Sequence, residues 1–186
     1  NTLVKELDSK RVIVIPEDSY YKDLGHLPID ERAKVNFDHP NSLDHGFLIQ
    51  QLNEIQAGKT VQIPTYDFSQ HSRSNKTREI VGGDHAIIVL EGILLFADLA
   101  LRELMDIRIF MDTPLDVCLI RRAKRDIKER GREIQNIFDQ YMQTVRPMYF
   151  QFIEPSKVHA DLIVPRGGQN RIAIDMIKAK MRELLE

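Results

Sequence analysis

Four short runs constrain this chain more than anything else in it: RVIVI (11–15), AIIVL (86–90), IRIFM (107–111) and LIV (162–164). Each is continuously apolar and rich in β-branched residues, with no alternation of apolar and polar positions. Continuous runs suit strands covered on both faces, as in a parallel sheet. Between and after them lie helical patterns. SLDHGFLIQQLNEIQAG (42–58) opens on the cap candidates Ser42 and Asp44 and stops at Gly58. TPLDVCLIRRAKRDIKERG (113–131) places Thr113 at the N-cap, Pro114 at the first helical position and Gly131 past the end. Beyond Asn170, the residues Ile172, Ile174, Ile177, Met181 and Leu184 line one helical face, and Leu3, Val4 and Leu7 read as the tail of another helix. Residues 60–81 carry two β-like runs joined by a polar loop, which predicts a hairpin arm outside the sheet. The alternation predicts an open α/β fold.

Size and charge narrow the function classes. A chain of 186 residues suits one domain, and neither a repeat nor a linker divides it. Lys plus Arg is 26 against 28 acids, and a net charge of −2 leaves no overall footprint for nucleic acid or membrane. The most apolar stretch, AIIVLEGILLFADLALRELM, is interrupted by Glu91 and Asp98, which argues against a membrane span. The single Cys118 allows no internal disulfide and fits a reducing compartment. With no signal peptide at its start, the expectation is a soluble, cytoplasmic protein.

Ligands of open α/β folds collect at the carboxyl ends of the strands. Three of these ends are acidic: Glu17-Asp18, Glu91 and Asp112. Asp112, beside Thr113-Pro114, reads best as a helix cap or turn residue. Asp18 and Glu91 would point into one crevice, where two carboxylates suit a divalent cation and a general base for phosphoryl transfer. RRAKRDIKERGR (121–132) supplies the complementary charge. With Asp126 and Glu129 interspersed it reads equally as a solvated, self-paired helix face, but Gly131 breaks it between Arg130 and Arg132. A mobile basic element there fits a lid over polyphosphate. The loop NFDHP (36–40) presents Phe37 and Asp38, and PTYDFSQHSR (64–73) presents Tyr66, Phe68 and His71. Such groups can stack on a flat ring and bind hydroxyls. Tyr66 and Phe68 can equally well pack one face of the arm, and composition does not choose.

The stretches PEDSYYKD, NFDHPNSLD, IPTYDFSQHSR, LEGILL, RRAKRDIKERGR, QYMQTVRPM and ADLIVPRGGQNRIAID, in this order, resemble the uridine kinase (uridine-cytidine kinase) family of the P-loop kinase superfamily over nearly the whole chain. The resemblance implies a P-loop kinase-like open parallel sheet with helices on both faces, a β-hairpin arm for the base and an Arg-rich lid. It implies phosphorylation of the 5′-hydroxyl of uridine or cytidine, with ATP or GTP as donor and Mg²⁺ as cofactor, by a homotetramer. By the same resemblance Asp18 is the catalytic carboxylate near magnesium, Glu91 is the magnesium-side acid, and Glu17 has no role. Asp38 and Arg132 match the residues on the ribose, and Tyr66 and His71 those reading the pyrimidine edge. Phe37 and Phe68 line the base pocket, while Arg122 and Gln140 match further nucleoside contacts. Arg125 and Arg130 match lid residues at the phosphates, and Gln169 the contact to the donor's adenine.

Two departures stand out. Gly82-Gly83 lengthens the arm near its base, and no G-x-x-x-x-G-K-[ST] occurs in the 186 residues. That loop, which would cradle the phosphates, belongs just before the helix whose tail starts at Asn1, and without it the chain is expected to be inactive. The alternatives are a non-catalytic nucleotide-sensing module and another small-metabolite kinase of the pantothenate kinase or phosphoribulokinase type.

Overall fold

In the computed structural model, which describes residues 11–186, the apolar runs become strands that reach one residue beyond their apolar ends and stop on the acids or prolines that follow. The strands are β1 (Val12–Pro16), β2 (Val61–Asp67), β3 (Ser72–Ile80), β4 (Ile87–Glu91), β5 (Ile109–Asp112) and β6 (Leu162–Pro165). β1 and β4 pair in parallel with Ile15 opposite Leu90 and Pro16 opposite Glu91. β5 and β6 pair in parallel with Asp112 opposite Pro165. Among the described residues no ladder joins these two pairs. β2 and β3 form a separate antiparallel hairpin, the arm expected from 60–81. The helix tail expected at Leu3, Val4 and Leu7 lies outside the described residues.

The longer helices are α1 (His45–Gln56), α2 (Leu99–Leu104), α3 (Leu115–Arg130), α4 (Ile134–Gln140) and α5 (Arg171–Glu183). Asp44 caps α1 by accepting the Phe47 amide at 3.2 Å, and Gly58 beyond its end takes a φ of 78°. Ser42, the other cap candidate, instead sends its hydroxyl to the Phe37 and His39 carbonyls. Thr113 does not cap α3. The helix starts one residue later than expected, so Pro114 holds the cap position with no side-chain cap, while the Thr113 hydroxyl lies so close to Gly167 that a Cβ there would not fit. Gly131 closes α3 in the left-handed conformation at φ 61°, its amide on the Asp126 carbonyl. α5 is capped by Asn170 on the Ala173 amide at 3.2 Å. It buries Ile174, Lys178 and Met181, spaced as one stripe, while Ile172 and Leu184 face out and are not part of the expected apolar face. α4 continues without a break into π-helical turns at Tyr141–Val145 and Tyr149–Ile153. Pro147 and Pro155 each follow within two residues of a π turn, where their missing amides disturb the ordinary ladder.

The core gathers Ile15 of β1, Tyr20, Leu48, Leu52 and Ile55 of α1, Val61, Ile63 and Ile80 of the arm, Leu95, and Leu101 of α2. The arm's base is thus part of the core, while residues 68–70 at its tip and 75–79 of β3 are exposed. Gly82 closes that base: it lies so tightly on the Gly58–Lys59 backbone that a Cβ there would not fit. No helix among the described residues is long and apolar enough to cross a membrane.

Candidate active site

Glu17 and Asp18 part company at the end of β1. The 3₁₀ turn Glu17–Tyr20 directs Glu17 inward, where it is 1% exposed, and leaves Asp18 exposed. Glu17 accepts the Leu94 amide at 3.0 Å and meets His45 Nε2 at 3.0 Å. Asp18, though reached by solvent, is closely flanked by protein. Desolvation raises its carboxyl above the ordinary range, and the charge of Glu17 adds to the rise. Arg130, Arg125 and a hydrogen bond from the Tyr21 hydroxyl oppose it.

Beside Asp18 lies an aromatic slot. Tyr21 meets Phe37 edge-on at 5.3 Å between centroids and Tyr66 at 5.1 Å. Phe37 stacks on His71 at 5.2 Å, and Phe68 meets Tyr66 edge-on at 5.4 Å. The four aromatic residues expected in the base pocket are therefore together, with Tyr21 as an unexpected fifth. The Tyr66 hydroxyl is buried with no hydrogen-bond partner, and desolvation pushes its pKa up to about 12. Such an atom is costly unless a ligand satisfies it. His71 sits at the arm's tip with φ 47°, a conformation uncommon outside glycine and found disproportionately at functional sites. Arg32 braces this tip through the Gln70 carbonyl at 3.0 Å.

Asp38, Arg122, Gln140 and Arg132 form a chain along the slot. Asp38 is 9% exposed, and Arg122 lies 4.0 Å from it. Desolvation raises the Asp38 carboxyl against the pull of the Arg122 charge. The turn before Pro40 is held by other residues: Asn36 accepts the Asp38 amide, and His39 Nδ1 accepts the Asn41 amide. Gln140 accepts from Arg122 at 3.1 Å and from Arg132 at 2.7 Å, which leaves its amide N–H₂ available to a ligand. Arg132 therefore reaches Asp38 through Gln140 and Arg122.

Asp126 anchors the basic segment. It is fully buried, with Arg125 at 2.8 Å, Arg132 at 3.3 Å, Arg130 at 3.6 Å and Arg122 at 3.9 Å. Burial works to raise its carboxyl, but the Arg125 hydrogen bond and the charges of Arg125, Arg130 and Arg122 hold it below the usual range. Arg130 also lies over the Phe68 ring at 5.1 Å, so the lid touches the arm.

The remaining acids divide. Glu91 ends β4 opposite Pro16, two residues from Asp18. Asp112 pairs with Lys157, a structural role, though it does not cap α3. Gln169 is exposed in the turn after β6. Among the described residues no cluster of three or more metal-ligating side chains occurs. The sequence missed Tyr21, Asp126 and the partners of Glu17. Only for Tyr21 was there a local signal, its place in PEDSYY.

The fold defines a class first: an α/β architecture of the P-loop kinase type. A fructose transport system kinase candidate from Silicibacter sp. TM1040 shares the fold, with a TM-score of 0.63 at 18% identity over 83% of this chain and 75% of that one. The chain belongs to the Phosphoribulokinase / Uridine kinase family, whose profile matches residues 2–173. Uridine kinase of Tolumonas auensis is 54% identical over 100% of this chain and 86% of its own length. Uridine kinase of Aeromonas hydrophila is 54% identical over 98% and 85%. The protein is thus a kinase by family, and its phosphate donor is a nucleotide.

Proposed function

We propose that the protein phosphorylates the 5′-hydroxyl of uridine and cytidine, using ATP or GTP, to give UMP or CMP. One observation carries this reading: the aromatic slot gathers around Tyr21, three residues after Asp18, and Arg130 of the lid lies over Phe68 at its edge. A base bound among Phe37, Tyr66, Phe68 and His71 brings the ribose toward Asp38 and Arg132. There Asp38 accepts from the ribose hydroxyls and the guanidinium donates. Arg122 and Gln140 complete the nucleoside contacts. Asp18 takes the 5′-hydroxyl proton as that oxygen attacks the terminal phosphorus of the donor, and the nucleoside diphosphate leaves. Arg125 and Arg130, turned from Asp126 to the phosphates, offset the charge that develops there. Gln169 faces the donor's adenine.

Asp18 and Glu91, at neighbouring strand ends, fit Mg²⁺, which is commonly held by one or two carboxylates together with substrate phosphates. When bound there it would neutralise phosphate charge. Relatives named uridine kinase over this chain's whole length favour a catalyst over a sensing module, and the aromatic slot favours a nucleoside over other small metabolites. By the family resemblance and the lone Cys118, the single domain 1–186 is read as part of a cytoplasmic homotetramer. The test is Asp18→Asn in the full-length protein. Uridine affinity is expected to stay within a few-fold and turnover to fall by roughly 10²–10⁴. Wild-type turnover in that variant would remove Asp18 as the base.

A further inference from the structure

Beneath the site lies a buried charged group that the chemistry above does not use. Glu17 Oε1 meets His45 Nε2 at 3.0 Å, and His45 Nδ1 meets Asp98 Oδ2 at 3.3 Å. The Glu17 and His45 side chains are 1% and 8% exposed. Glu17 Oε2 accepts the Leu94 amide at 3.0 Å, and Gly92 lies against the same carboxylate so closely that a Cβ there would not fit. Asp98 Oδ1 caps α2 on the Leu101 amide at 3.1 Å. His45 opens α1, whose cap Asp44 pairs with Arg73 of the arm at 3.0 Å. Three elements therefore meet at one imidazole, the turn after β1, α1 and α2, and the loop after β4 joins them through Glu17.

A buried ionic group is an expensive way to hold a fold, because apolar side chains of similar volume usually do as well or better. Its location supplies a reason for it. Glu17 directly precedes Asp18 in one rigid turn, and the Leu94 amide follows Glu91 by three residues. The relay fastens both segments from below, next to the two acids at the mouth of the crevice.

We infer that Glu17 and His45, backed by Asp98, are positioning residues for phosphoryl transfer: their hydrogen-bond relay clamps the end of β1 to the loop after β4 and so fixes Asp18 relative to Glu91. The inference rests on the proposed role of Asp18. What matters in it is connectivity more than charge. A glutamine at 17 can still accept the Leu94 amide and donate its N–H₂ to a neutral His45 Nε2, whereas an alanine can do neither.

The experiment measures kcat, KM and uridine Kd for full-length wild type, Glu17→Ala, Glu17→Gln, His45→Ala and the Glu17→Ala/His45→Ala pair. Glu17→Ala is expected to lower kcat by about 10- to 100-fold, the effect of a small misplacement of reacting groups, with uridine Kd within about threefold. Glu17→Gln should keep kcat within a few-fold. His45→Ala should fall with Glu17→Ala, and the pair should lose little more than either alone, since both cut one relay. Wild-type kcat in Glu17→Ala would overturn the inference. So would equal collapse of the Ala and Gln variants, which would make Glu17 itself a catalytic carboxylate. Should Glu17→Ala fail to fold, His45→Ala carries the same expectation and the same contrary result. An active Asp18→Asn enzyme would instead sink the underlying role of Asp18, whatever Glu17 does.

Discussion

Phe37 and His71 lie face to face, with ring centroids 5.2 Å apart and planes 19° from parallel. One comes from the loop before α1 and the other from the arm's tip, so the stack joins the two elements that frame the slot. A flat base entering the slot must extend or displace this stack. Burial lowers the His71 pKa, and the charges of Arg130, Arg132 and Arg32 lower it further, so the ring is neutral at pH 7. A neutral imidazole offers one donor and one acceptor, which suits the mixed edge of a pyrimidine.

His71→Ala is therefore expected to weaken uridine binding by about 1–3 kcal/mol, the cost of an unpaired buried polar edge, and to leave donor binding nearly unchanged. Calorimetric titration of each ligand checks this. Equal weakening of both would take the arm out of the base pocket.

Local signals made the frame of the site legible. Apolar runs ending in acids marked the crevice, and Asp44, Gly58 and Gly131 marked helix ends through capping chemistry that acts within a few residues. What escaped depended on distant partners. Asp126 reads from sequence as one member of an i,i+4 surface pair. It is buried because the chain folds back after Gly131 and brings Arg132 and Gln140 over it. Glu17 looked idle because its partners, His45 and Leu94, lie 28 and 77 residues away. Thr113 had the right residue type for a cap, but α3 starts one residue later than its sequence suggests and leaves Pro114 at the cap position.

Asp126 should govern how firmly the lid is held. Asp126→Asn removes the charge that gathers four arginines, leaving them to repel one another. Limited trypsin cleavage after Arg130 and Arg132 is expected to quicken by about tenfold or more, corresponding to local opening easier by about 1.4 kcal/mol. KM for uridine should rise as well, because Arg122 and Arg132 lose an anchor. Unchanged cleavage would mean that the lid is held by other contacts.

The Glu17–His45 pair makes stability depend on pH. Burial alone would lower the His45 pKa, but the Glu17 hydrogen bond and charge, with Asp98 adding to them, raise it above its ordinary 6.5. A raised folded-state pKa contributes stability that is complete below the unfolded value and disappears as pH rises through the folded one. The advantage in Tm of wild type over Glu17→Gln is thus expected to be largest near pH 6 and to shrink as pH rises above about 6.5. Thermal unfolding of both proteins across that range measures it. A constant difference would show that His45 does not change charge in the folded protein.

The ribose offers the sharpest separation of a nucleoside kinase from its relatives. Asp38 is a buried acceptor whose neighbouring turn is held by Asn36 and His39, so its carboxylate is not committed to the backbone. Arg132, fixed by Gln140 at 2.7 Å and Asp126 at 3.3 Å, is a donor on the same chain of contacts. Two adjacent hydroxyls can satisfy both groups, the carboxylate accepting and the guanidinium donating. A 2′-deoxynucleoside leaves part of that pair desolvated and unmatched, a loss that can discriminate by several orders of magnitude. Uridine should therefore be strongly preferred over 2′-deoxyuridine. Asp38→Ala should erase most of that preference by crippling the ribonucleoside, with little change for the deoxy form. Steady-state kcat/KM for both nucleosides, in wild type and Asp38→Ala, is the measurement. If wild type handles the two alike, Asp38 is not a ribose ligand, and the case for a ribonucleoside substrate goes with it.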